Sequence, residues 1–432
     1  MSVTSPQSDS SSVKDSPRVC IIQDGARRHY IVPMALQQGG LLERIFADWY
    51  VKDFSPARWI AKLVSRFDPV TGRRMLDRRR EGLDDKRVIS NLWLALRLAR
   101  AKKRFPVKED YFEWAAARQA EWILRKGFGR SNMLYGFIRN VHPQVWRIAR
   151  LQGLTTVGDQ MIAPARIEIE EYQLQQQRWS GWEKPVPTDA LQRVDLIEQM
   201  SWEHCDHLTC GSDYVKQGLI DCGVAPERIS VIPYAPSGSD LPLIERQLHP
   251  DPVLVGFVGA VCLRKGAPYF FEVAKRFDPK RVKFVMVGPV QLDPQRVRQE
   301  CGPVEIVGSV PRSQVKDWLS RFHIFFFPST CEGCAGAVLE AMDTGLPIVS
   351  TPNSGTIVRH GTDGFIHAYD DIDGFVESID KLVSDRNFRL NMGLNSRQCI
   401  ERYDLPWYIN RLKDVMTDAR HRFPHQRSLI SS

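Results

Sequence analysis

The stretch from Phe325 to Ser350, FFFPSTCEGCAGAVLEAMDTGLPIVS, leaves few folds open. Phe325-Phe326-Phe327 is an apolar run of the kind a parallel sheet buries on both faces. Pro328 ends it, Gly333 marks a turn, and a short helix carrying Glu340 follows. Gly345 reads as the helix C-cap, and Ile348-Val349 opens a second apolar strand. Two carboxylates, Glu332 and Glu340, therefore flank one helix N-terminus. Such an end presents unpaired backbone N–H groups and the positive end of a dipole, which suit a phosphate, while nearby carboxylates accept hydrogen bonds from sugar hydroxyls. A ligand that is both phosphate and sugar is implied.

The rest of the chain has the same rhythm. Val19-Cys20-Ile21-Ile22 is a β-rich run that ends in the turn signal Gln23-Asp24-Gly25, and a basic loop, Ala26-Arg27-Arg28-His29-Tyr30, comes next. Met133 to Phe137 and Thr155 to Val157 read as further strands, with Asp159 at a strand's carboxyl end, where open α/β sheets place ligands. Beyond residue 252, strands near 254, 283, 305, 324 and 348 alternate with helices near 268, 313, 336 and 373, which predicts a parallel sheet covered on both faces. Residues 233–252 are rich in Pro, Gly and Ser, as a hinge between lobes should be.

These residues resemble the retaining glycosyltransferases of the GT-B fold, glycosyltransferase family 4 type, also called glycosyl transferases group 1. Glu332 and Glu340 have the spacing of that family's Glu-x7-Glu signature. Gly256-Phe257-Val258-Gly259 with Leu263-Arg264-Lys265-Gly266 is similar to its diphosphate-binding loop, and His360-Gly361-Thr362-Asp363-Gly364 to its downstream glycine pair. The resemblance covers residues 190–400 well and the first half loosely. It implies two Rossmann-like α/β domains facing across a cleft. A tail at 1–17 would precede an acceptor-side domain at 18–236 with a helical insertion at about 42–126. A linker at 237–252, a nucleotide-sugar domain at 253–402 and a C-terminal helix and tail at 403–432, crossing back to the first domain, would follow.

Site roles follow from the same resemblance. Arg264 and Lys265 would face the diphosphate, Glu332 the donor sugar, and Glu340 the ribose. Gly259, Gly333, Cys334, Ala335, Gly336 and Ala337 would line the donor site. Where many relatives carry Arg directly after the strand's Gly, this chain has Ala260, and Arg264 takes a later place. On the acceptor side stand Arg27, Arg28, His29 and Asp159, which equally suit a solvated turn and a capping residue. The chain has no Asp-x-Asp-like metal motif, and the two cations can balance the leaving group, so no metal or other cofactor is expected.

Composition narrows the classes further. The net charge is +8, and basic residues crowd the first third: Arg73-Arg74, Arg78-Arg79-Arg80, Lys86-Arg87, Arg97, Arg100 and Lys102-Lys103-Arg104, with Trp93, Trp114 and Trp122 between them. That pattern fits a solvated helical face or anionic lipid headgroups; without a helix-turn-helix, RRM or zinc-finger pattern it argues against nucleic acid. Nine scattered cysteines form no disulfide framework, and Cys331-x-x-Cys334 lacks a second pair at zinc spacing. With a polar N-terminus and no long apolar run, a cytoplasmic protein is expected, weakly held at an anionic membrane. The expected function is transfer of a sugar from a nucleotide-diphosphate donor to a glycan or lipid-linked acceptor. The alternatives are a sugar-nucleotide-binding protein without activity and a GT-B-type epimerase.

Overall fold

The computed structural model describes residues 16–236 and 252–424. The tail expected at 1–17 and the linker expected at 237–252 lie almost wholly outside them. Two sheets organise the described chain. The first holds β1 (Val19–Gln23), β2 (Leu42–Ala47), β3 (Val88–Ser90), β4 (Met133–Phe137), β5 (Thr155–Gln160), β6 (His207–Cys210) and β7 (Ile229–Val231), in the order β3-β2-β1-β4-β5-β6-β7. The second holds β8 (Val253–Val258), β9 (Val282–Val287), β10 (Val304–Gly308), β11 (Ile324–Phe327), β12 (Ile348–Ser350) and β13 (Gly364–Ile366), in the order β10-β9-β8-β11-β12-β13.

Both orders have one consequence. Pairing is parallel, with Ile21 opposite both Ile45 and Tyr135, and Gly256 opposite both Phe325 and Val285. β1 therefore sits between β2 and β4, and β8 between β9 and β11. At these points the chain reverses its direction of travel across the sheet, and the loops leaving the carboxyl ends diverge and open a crevice. The loops after β1, β4, β8 and β11 are thus the places where a ligand is held.

The second sheet shows why the Phe run is there. Phe325, Phe326 and Phe327 are fully buried. Phe326 packs on Phe270 of the helix Ala267–Ala274 and Phe375 of the helix Ile372–Ser384, with ring centroids 5.2 and 4.9 Å apart, while Phe327 stacks on Phe257 at 5.2 Å. Alternate side chains of one strand so fill both faces, as a central parallel strand requires.

The structure departs from the expected helical stretch at 42–126, which begins with β2 and contains β3. Glu43 and Arg44 break the apolar run of β2, and β3 is three residues long, so neither stands out beside the helices Pro56–Phe67, Pro69–Leu76, Leu92–Ala101 and Lys108–Lys126. Contacts divide the chain into two compact units, Met1–Asp159 with Gln199–Leu208 and Ile409–Ser432, and Gln160–Glu198 with Thr209–Tyr408. That division differs from a single boundary at the linker. Within the first unit, the end of the helix Leu405–Arg422 is tied to β5, where Thr155 Oγ1 donates to the Phe423 carbonyl at 2.8 Å.

Truncating the ring between the two helices tests this core. Phe326→Ala should lower unfolding stability by about 3–5 kcal/mol, measured by chemical denaturation. A loss under about 1 kcal/mol would mean that the strand is not central.

Candidate active site

The loops after β8 and β11 meet through one carbonyl. The Arg264 carbonyl accepts from the Thr330 amide at 2.9 Å, from Thr330 Oγ1 at 3.1 Å and from Ser329 Oγ at 3.0 Å. A third loop, after β12, locks the second: Asn353 Nδ2 donates to the Thr330 carbonyl at 2.9 Å, the Glu332 amide to the Asn353 carbonyl at 2.8 Å, and the Ala335 amide to the Ser354 carbonyl at 3.1 Å. Gly333 fits because a Cβ there would lie 1.7 Å from the Met161 carbonyl oxygen. Gly259, at φ +151°, leaves room for the stem of Lys265, whose Cδ would stand 3.2 Å from a Cβ at that position.

Held this way, Glu332 lies between two cations. Its Oε1 accepts from Arg264 Nη1 and from Lys265 Nζ, each at 2.7 Å, and Arg264 Nη1 also donates to the Cys331 carbonyl at 2.7 Å. The Lys265 ammonium stands 4.9 Å from the centre of the Phe327 ring. Burial raises the cost of charge on Glu332, and the Arg264 and Lys265 charges with their hydrogen bonds more than offset it. The carboxyl is held below its usual range. Residues Arg264, Lys265 and Glu332 together carry a net charge of +1.

The helix Gly336–Asp343 starts just beyond. No side chain caps it. As first-turn residues, Gly336 and Ala337 have no intrahelical acceptor for their amides, which suits a phosphate oxygen, whereas the Ala335 amide is already taken by Ser354. Glu340 is bonded through both oxygens to Arg312, at the start of the helix Arg312–Arg321, with Nη1 at 3.0 Å. Cys331 and Cys334 are free thiols in the packed wall of this loop, and burial pushes Cys331 up to about 12. A thiol so rarely ionised is poorly suited to redox or metal chemistry.

The loop after β1 collects a second set of groups. Arg27 lies over the Phe137 ring at 5.7 Å, and His29 and Tyr30 adopt φ of 51° and 59°, a region non-glycine residues rarely enter. Of Arg28 only the backbone, in the short helix Arg27–Tyr30, is described. Asp159 is buried at the end of β5 and accepts from the Tyr135 hydroxyl at 2.6 Å. Sequence reasoning passed over Asp24 and Asp48, which end β1 and β2. Asp48 accepts from the Gly25 amide at 2.9 Å and from Arg78 at 2.6 Å, Gln119 donates to Asp24, and the Tyr30 hydroxyl is buried with no partner among the described residues. Burial and the neighbouring Asp48 push Asp24 up to about 7.

Residues 252–385 match the family model described as glycosyl transferases group 1. The chain belongs to that family. It is similar to a phosphatidylinositol N-acetylglucosaminyltransferase of Arabidopsis thaliana, 30% identical over 200 residues covering 44% of each chain. It is also similar to the UDP-Gal:alpha-D-GlcNAc-diphosphoundecaprenol alpha-1,3-galactosyltransferase of Escherichia coli, 29% identical over 218 residues covering 45% of this chain and 55% of that one. The matched stretch thus spans about half the length of these curated relatives. In fold it resembles the Anabaena protein HepE, solved in complex with UDP and glucose, with a TM-score of 0.58 at 13% identity over 93% of this chain and all of that one. The fold is GT-B.

Within the group 1 signature the structure brings Arg264, Lys265, Glu332 and the amides of Gly336 and Ala337 together, with Glu340 to one side of them and Gly259 beneath Lys265. Arg312 and Glu183 were not foreseen. Glu183 accepts from the Leu263 amide at 2.7 Å and steadies the loop after β8, but both lie far in sequence from what they bind, and no local pattern marks them.

Asp24 gives a pH test. Its folded value near 7 lies above an unfolded value of about 4. The folded state therefore keeps the proton longer, and stability falls as pH rises from about 4 through about 7. Asp24→Asn should match the wild type in Tm at pH about 4 and exceed it at pH about 8. Equal Tm at both would place Asp24 in a solvated setting.

Proposed function

We propose that the protein is a retaining glycosyltransferase that moves a sugar from a nucleoside-diphosphate sugar to a glycan or lipid-linked acceptor, in polysaccharide or glycoconjugate synthesis, without a divalent metal. The observation that carries this is the placement of Arg264, Lys265 and Glu332 beside the first-turn amides of Gly336 and Ala337, at the reversal point of the second sheet. Breaking the anomeric bond leaves added negative charge on the diphosphate. Arg264 and Lys265 stand where they can bind it, and fixed cations and amides stabilise such charge with little reorganisation. This supports metal independence. Glu332 orients both cations and presents its second oxygen to donor hydroxyls, and Glu340 offers a carboxylate to the ribose.

The printed names of the relatives support the substrate classes. The Escherichia coli enzyme takes UDP-Gal and a diphosphoundecaprenol acceptor, and HepE holds UDP and glucose. A uridine nucleotide is the first donor to try, with GDP sugars second. In a retaining transfer the acceptor hydroxyl arrives on the face the diphosphate leaves, and the departing phosphate takes its proton. An acceptor on lipid fits a protein working at the cytoplasmic face of an anionic membrane, with the basic run from Arg73 to Lys126 drawn to the headgroups.

Mixing the protein with UDP- and GDP-sugar panels in EDTA, with glycan and lipid-diphosphate acceptors, and following nucleoside diphosphate release tests the reading. Lys265→Ala and Arg264→Ala should each lower turnover about 100-fold or more. Wild-type rates in both would move the diphosphate elsewhere. Glu340→Ala should chiefly weaken UDP binding, and unchanged affinity would remove the ribose role. A thermal shift without any release would favour a binding protein, and a new isomer of the sugar nucleotide without acceptor an epimerase.

A further inference from the structure

The helices Pro56–Phe67 and Pro69–Leu76 form a hairpin with two unlike faces. Its inner face is ordinary. Ala57 and Ala61 are buried against Trp49 and Val51, and Gly72 lies so close to Ser65 that a Cβ would stand 2.1 Å from its hydroxyl. The outer face is not. Trp59, Leu63 and Phe67, spaced four apart on one helix, are 71%, 56% and 84% exposed, and Phe54, Val70 and Trp93 around them are 97%, 62% and 80% exposed. Water meets this whole array of large apolar side chains, which ordinary soluble surfaces avoid.

The charges beside it are of one sign. The helix Pro56–Phe67 carries Arg58, Lys62 and Arg66 and no acidic residue, and exposed Arg73 and Arg74 follow on the next helix. A second copy seated on the same face would set these cations against their equivalents, which is repulsive. Aromatic and leucine side chains bordered by Lys and Arg are instead the make-up of a helix that lies in a bilayer interface. Phe54 adds to this, because a non-glycine residue at φ 56° with its ring in water is held against its own backbone preference.

We propose that this hairpin docks the protein on an anionic phospholipid bilayer by seating Trp59, Leu63 and Phe67 among the acyl chains while Lys62, Arg66, Arg73 and Arg74 meet the headgroups. The proposal rests on the membrane association put forward above and replaces its charge-only attraction with a named apolar face. The hairpin is fastened to the carboxyl end of β2. The Val51 amide donates to the Arg78 carbonyl at 3.0 Å, Trp49 Nε1 to the Met75 carbonyl at 3.3 Å, and Arg78 pairs with Asp48. The lipid face thus lies on the side of the first sheet where the loop after β1 gathers Asp24, Asp48 and Tyr30.

Co-sedimentation of the full chain with vesicles of equal parts phosphatidylcholine and phosphatidylglycerol decides it. The wild type should bind at low salt, and Trp59→Ser, Leu63→Ser and Phe67→Ser together should lower partitioning about tenfold or more, with Tm unchanged because all three are solvent-facing. Brominated acyl chains should quench a share of the tryptophan emission that Trp59→Phe removes without releasing the protein. If the triple variant binds as the wild type does, charge alone holds the protein and the apolar face plays no part. If the wild type binds no vesicle, both membrane readings fall. A concentration-dependent dimer abolished by the triple variant would make the face a self-interface and overturn the proposal.

Discussion

A buried carboxylate shared by two cations fixes the geometry on which the second unit's site depends. Moving Glu332 out of water is costly, and a single partner removed would leave a charge stranded in a poor dielectric. The ion pairs with Arg264 and Lys265 offset that cost, and each pins a different part of the loop after β8 to the loop after β11. The cations in turn cannot wander. Lys265 has its stem over Gly259 and its ammonium over Phe327, so a side chain that ordinarily carries much rotamer freedom arrives already placed.

Fold and site are built by the same contacts. The Arg264 carbonyl collects three hydrogen bonds, and the amides of Glu332 and Ala335 find their acceptors in the loop after β12. A buried loop must satisfy its backbone groups somewhere, and here it does so through neighbouring loops rather than a ladder. One result is selective: the Ala335 amide is consumed, and the amides of Gly336 and Ala337 point beyond the helix. The donor end of that helix is therefore narrower than the sequence alone suggests.

Much of the second unit was legible because parallel strands buried on both faces read as unbroken apolar runs, as Phe325 to Phe327 does, and because glycines mark its close approaches. Local chemistry sufficed for Arg264, Lys265 and Glu332, which sit within a few residues of strand ends. What stayed hidden depends on distance in sequence. Arg312 meets Glu340 only because one helix starts near the flank of another, and Asp24 meets Asp48 only because β1 and β2 are neighbours in register. The short strands β3 and β13 gave no period to read at three residues each, and β2 opens with Glu43 and Arg44 instead of apolar residues. The outer face of the hairpin was illegible for another reason. Trp59, Leu63 and Phe67 have the spacing of a core stripe, and only the fold shows that Ala57 and Ala61 took the inside.

The two carboxylates of the signature are governed by different physics. Glu332 is paired out of water on both sides and cannot exchange its partners without exposing two cations to a poor dielectric. Glu340 stands near the C-terminal end of its helix, where the dipole disfavours an anion, and Arg312 supplies the offset from outside. Arg312 is 55% exposed, so this pair is largely hydrated and worth about 1 kcal/mol or less. A pair so weak can give way to hydroxyl donors at small cost. The structure thus joins a fixed carboxylate that holds the cations with an exchangeable one that can accept a ligand, eight positions apart on a single strand-to-helix turn.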